Sequence, residues 1–90
     1  MTMTKEFTIA THRRSFMGRE EIISTVTGTL NDLLQYFAYT LECGKSWEHE
    51  RGRRKVNMNP KTGKSLVTAL NNAKNNTALN GYSDTWYELV

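Results

Sequence analysis

The chain has 90 residues, of which 38% are hydrophobic and 23% are charged, and its formal net charge is +3. This length allows one domain, residues 1–90, with one hydrophobic core, and the charge is too low to favour disorder. No run of eighteen uncharged apolar residues occurs and the first residues lack a signal-peptide pattern, so we expect no membrane span and a cytoplasmic location. The single cysteine, Cys43, excludes an internal disulfide.

Two segments near the start of the chain predict a β-hairpin. Residues 5–15 alternate in side-chain character and are rich in residues that suit a pleated, half-buried surface. Phe16–Arg19 supplies a turn in which Gly18 is free to take a positive φ. Glu20–Thr27 is again β-branched and forms the second strand of the predicted pair.

A helix is predicted over about residues 30–43. Thr29 can cap its first free amides, and Asp32 favours the positive end of the helix. Gly44 is placed to end the helix in a left-handed conformation. Five apolar side chains recur at the spacing of one helical face: Leu30, Leu33, Leu34, Phe37 and Leu41.

Residues 46–58 are highly charged and have few apolar side chains. They could form two short strands that turn near Gly52, or a mobile loop. The interpretation we favour is an irregular arm whose second half, Lys55–Met58, pairs as a short strand.

The last part of the chain predicts a helix followed by a strand. Asn59 and Pro60 suit the cap and first position of a helix that continues to about Asn75. Residues 80–81 mark a tight turn, and the apolar tail Tyr82–Val90 predicts a strand docked in the sheet. The order β-β-α-(β)-α-β predicts an α+β fold, a small antiparallel sheet of three or four strands with two helices packed on one face.

Positive charge is concentrated in Gly44–Lys64, here called the basic segment. Residues 1–43 carry four basic and five acidic side chains, the basic segment seven and two, and residues 65–90 one and two, so the local net charges are −1, +5 and −1. Such a cluster can bind phosphate or carboxylate groups, although a run of charged residues can also be simply exposed to solvent. We predict a partner-binding surface of Lys45, Trp47, Arg51, Arg53, Arg54, Lys55, Lys61 and Lys64, extended by Arg13 and Arg14 if the hairpin folds nearby.

Thr62-Gly63-Lys64-Ser65 resembles the end of a phosphate-binding loop. That loop needs an earlier glycine, but position 58 is Met, and Pro60 lacks an amide that an anion would use. The motif therefore favours a plain helix start.

The remaining chemically active side chains do not predict a catalytic or metal site. Cys43 would need a base, and His12 and His49 are the candidates, but no pattern places either beside it. The histidines, cysteine and acidic residues also lack metal-ligand spacing. We therefore expect a protein that is not an enzyme and that has no metal and no cofactor.

Four stretches together resemble the short accessory proteins of tailed phages and prophages: FTIATHRRSFMGREE, GTLNDLLQYFAYTLECGKSWE, NMNPKTGKSLVTALNNA and YSDTWYELV. Proteins of that kind are similar in size, and in their lack of catalytic equipment, to inhibitors of host defence, anti-CRISPR proteins among them. The resemblance implies a non-enzymatic inhibitor in the host cytoplasm that occludes a host protein or ribonucleoprotein complex, such as a CRISPR effector.

The basic segment departs from one pattern of those inhibitors, many of which are acidic mimics of nucleic acid. Its charge would instead suit contact with a guide RNA, the edge of a DNA channel, or acidic residues of an effector complex. The alternative prediction is a small stand-alone nucleic-acid-binding protein that contacts RNA or DNA phosphates.

Overall fold

A three-stranded antiparallel sheet and three helices make up the computed structural model, which describes residues 5–15, 17–47, 55–73 and 84–90. The predicted α+β class is confirmed, and the strand order in the sheet is β2-β1-β3. The elements are β1 Glu6–Arg14, β2 Glu20–Thr29, α1 Leu30–Tyr36, α2 Ala38–Trp47, α3 Gly63–Ala73 and β3 Asp84–Leu89.

The predicted hairpin is confirmed. β1 pairs antiparallel with β2, and the amide of Gly18, at φ +85°, donates to the Ser15 carbonyl oxygen over 2.9 Å. The register shifts where β1 passes from Thr11 to His12, because Ile23 is an extra residue in β2 at that point. Such a bulge bends an edge strand and hinders its pairing with another chain.

The predicted first helix is divided in two at Phe37 and extends beyond its predicted end. Thr29 caps its start, as expected, and the Asp32 side chain completes a reciprocal capping box, with both hydrogen bonds at 3.1 Å. The prediction that Gly44 ends the helix is wrong. Gly44 lies buried inside α2, where an added Cβ would stand 2.3 Å from the Cβ of Ala73. This glycine permits a close approach between α2 and α3.

The second predicted helix starts later than its sequence signal indicated. α3 begins at Gly63, not at Pro60, and two hydroxyls at its start accept hydrogen bonds from nearby backbone amides. Thr62 Oγ1 accepts from the Ser65 amide at 3.1 Å, and Ser65 Oγ accepts from the Thr62 amide at 3.0 Å. Pro60 is buried ahead of the helix. The predicted end near Asn75 lies outside the described residues.

The short strand predicted over Lys55–Met58 is also wrong. These residues have no regular secondary structure, although Val56 is only 2% exposed and belongs to the core. The Asn72 Nδ2 donates to the Lys55 carbonyl oxygen over 3.3 Å. A side chain of α3 thus provides a hydrogen bond that a neighbouring strand would provide if Lys55 belonged to the sheet.

The predicted final strand is confirmed over Asp84–Leu89, and it pairs antiparallel with β1. Residues 80–83, which include the predicted turn, lie outside the described part of the chain. The side chain of Asn71, on α3, accepts a hydrogen bond from the amide of Tyr87, on β3, at 2.8 Å and donates one to the Tyr87 carbonyl oxygen at 2.9 Å. α3 thereby forms hydrogen bonds with backbone groups of β3 that a neighbouring strand could otherwise form.

The core lies between one face of the sheet and the helices. Alternation along β1 directs Phe7 and Ile9 to this side and Thr8 and His12 to the opposite side, here called the outer face. The core residues are Ile9, Leu33, Phe37, Leu41, Val56, Leu66, Ala69, Leu70, Ala73 and Tyr87.

Candidate partner-binding surface

Lys45 and Lys55 lie at the C-terminal end of α3. Lys45 follows Gly44, whose backbone is in close contact with Ala73, the last residue of α3. Lys55 is exposed, and its carbonyl oxygen accepts the hydrogen bond from Asn72. The fold therefore places two basic residues that are ten positions apart in the sequence near the last turn of the same helix.

Lys61 and Lys64 lie at the opposite end of α3. Both are exposed, and Gly63 between them is so close to β1 that an added Cβ would stand 2.9 Å from the Phe7 ring. An eleven-residue helix is about 16 Å long at 1.5 Å per residue. The lysines of the predicted surface are thus divided between two ends of one helix.

α3 runs along the sheet towards the turn of the β1–β2 hairpin. It starts beside Phe7 on β1, and near its end Asn71 bonds Tyr87, which is paired with Thr11 further along β1. The end of α3 with Lys45 and Lys55 therefore points towards the part of β1 that carries Arg13 and Arg14.

Arg13 and Arg14 are paired with the protein's own carboxylates across the hairpin. Arg13 forms an ion pair with Glu21, and the Arg14 Nη2 lies 2.7 Å from the Glu20 Oε1. All four side chains are about half exposed, and exposed pairs of this kind contribute about 0–1 kcal/mol. Their positive charge is offset locally, which reduces what the hairpin adds to an anion-binding surface.

The arginines at the centre of the prediction, Arg51, Arg53 and Arg54, lie outside the described residues. Trp47 is the last residue of α2, and the structure describes its backbone but not its side chain. In the sequence Arg53 and Arg54 directly precede Lys55. Their role stays a prediction.

Sequence reasoning missed a cluster on the outer face of the sheet. The His12 and Trp86 rings stack at 5.5 Å with an interplanar angle of 15°, and the Arg14 guanidinium carbon lies 5.2 Å from the indole centroid. The Trp86 Nε1 donates to the Glu88 Oε2 at 2.6 Å, and the His12 Nε2 lies 3.8 Å from the same oxygen. Only the pairing of His12 with Trp86 across β1 and β3 reveals it, because 74 positions separate them in the sequence.

Cys43 has a hydroxyl neighbour. Its hydrogen bond with Tyr39 is the main cause that raises the pKa of Tyr39, and Coulombic repulsion from Cys43 adds to the rise. His12 contacts Trp86 and Glu88, and His49 lies outside the described residues. The structure thus shows no contact between Cys43 and the one described histidine.

The motif at residues 62–65 folds as a capped helix start. The amides of Lys61 and Thr62 both donate to Ser65 Oγ, at 3.1 and 3.0 Å, so they are turned to a hydroxyl within the chain. The described residues before the motif, 55–61, contain no strand, whereas a phosphate-binding loop follows a buried one. Local contacts thus account for this sequence.

Residues 5–15, 17–47, 55–73 and 84–90 contain neither a metal-binding cluster nor a membrane-spanning helix. Within them, no group of three or more His, Cys, Asp or Glu side chains is arranged to hold a metal ion. No helix there has the length and apolar character needed to cross a membrane.

The chain matches no protein-family model, no curated protein and no solved structure.

Proposed function

We propose that this is a non-enzymatic binding protein that contacts an anionic surface of a host complex through the basic segment and thereby occludes it. The observation that carries the proposal is the distribution of charge. Twenty-one residues have a net charge of +5, while the segments on either side have −1 each. If the charged residues served only to keep the surface solvated, the positive charge would not have to be concentrated in one segment.

The packing of two residues of the basic segment, Gly44 and Val56, supports the proposal. Gly44 is buried against Ala73, and Val56 is 2% exposed in the core, so packed residues hold both Lys45 and Lys55. A partner that meets these lysines does not have to order their backbone, which lowers the entropic cost of association.

The residue types suit an interface with phosphates or carboxylates. Arginine forms paired hydrogen bonds with either group, and tryptophan and arginine are frequent hot-spot residues. The resemblance to phage accessory proteins supplies the class of partner, a host protein or ribonucleoprotein complex of the defence machinery.

A pull-down from a lysate of the bacterial host tests the proposal. We expect the triple variant Arg51→Ala/Arg53→Ala/Arg54→Ala to lose the complex that the wild type captures. If each arginine contributes about 1–2 kcal/mol, affinity falls by at least a hundredfold.

The matched control removes three charges outside the basic segment: Lys5→Ala/Arg19→Ala/Lys74→Ala. Retained capture by this control, with loss by the arginine variant, supports a local contact. Full capture by the arginine variant would rule the basic segment out, and equal loss in both would indicate a non-specific charge effect.

The same excess of cations favours a second candidate, stand-alone binding of nucleic acid. Fluorescence titration with single-stranded and double-stranded oligonucleotides should then show an affinity that falls steeply with salt. Trp86→Phe leaves Trp47 as the sole reporter in the basic segment, and Trp47→Phe leaves Trp86 on the outer face. A response confined to Trp47 would locate the contact, and absence of binding at low salt would exclude this candidate.

A further inference from the structure

We draw no further inference here: the strongest candidate, the side-chain cluster on the outer face of the sheet where Trp86 stacks on His12 beside Arg14, carries none, because nothing in the described part of the chain shows what covers it.

Discussion

Replacing Gly44 with alanine is expected to destabilise the protein, although alanine is the better helix former. In an exposed helix interior this change would stabilise by about 1 kcal/mol. At Gly44 the added Cβ would stand 2.3 Å from the Ala73 Cβ and 2.5 Å from its Cα, far inside the normal carbon contact of about 3.5–4.0 Å. Because the opposing Cα is backbone, the clash is relieved only if α2 and α3 separate.

The expected magnitude follows from these opposing effects. Overpacking costs about 1–3 kcal/mol, and the upper part of that range applies where no side chain can rotate away. Subtracting the propensity gain of about 1 kcal/mol leaves a net loss of about 2 kcal/mol. For a domain of this size, that loss lowers the melting temperature by about 10 °C.

Urea unfolding of wild type and Gly44→Ala measures the difference. Ser46→Ala is the control, since Ser46 is exposed on α2 and its hydroxyl donates to the Glu42 carbonyl oxygen over 3.2 Å, a bond within the same helix. We expect the control to lie within about 0.5 kcal/mol of wild type. A Gly44→Ala protein as stable as wild type, or more stable, would refute the close packing of α2 on α3.

Two further predictions concern the contact of α3 with β3. Asn71→Ala removes the side chain that bonds the Tyr87 amide and carbonyl, and it should lower the free energy of unfolding by about 1–3 kcal/mol. The control Asn72→Ala removes one longer, exposed hydrogen bond and should cost less. Equal losses of stability in urea unfolding would contradict this role of Asn71. Burial, with a smaller effect of Tyr36, raises the pKa of Tyr87, so its neutral form contributes stability that is present below pH 10 and lost as pH rises through the folded pKa. Tyr87→Phe should therefore lose less stability than wild type between pH 9 and about pH 11, and identical pH profiles would show that Tyr87 does not titrate in this way.

Local sequence patterns predicted the elements whose signals act within a few residues. The hairpin follows from two β-branched segments around Gly18, and the start of α1 follows from the capping pair Thr29 and Asp32. The apolar face from Leu30 to Leu41 also lies where its spacing indicated, with Leu33, Phe37 and Leu41 in the core. These features need no knowledge of distant residues, because each satisfies its own backbone or forms one continuous apolar face.

The candidate site could be predicted from the sequence only as a list of charges. Local composition identified the basic segment, but not the division of its described lysines between the two ends of α3. Nor did it reveal that Glu20 and Glu21 offset the hairpin arginines, since that depends on the register of β1 against β2.

The sequence alone determined the fold class, the hairpin, the final strand and the net charge of each segment. Tertiary structure decided what Gly44 does, where α3 begins and which aromatic ring His12 meets. Gly44 and Ala73 are 29 positions apart, and His12 and Trp86 are 74 apart. Periodicity and capping report on one turn or one strand, whereas these contacts exist only once the helices pack on the sheet and the strands take their register.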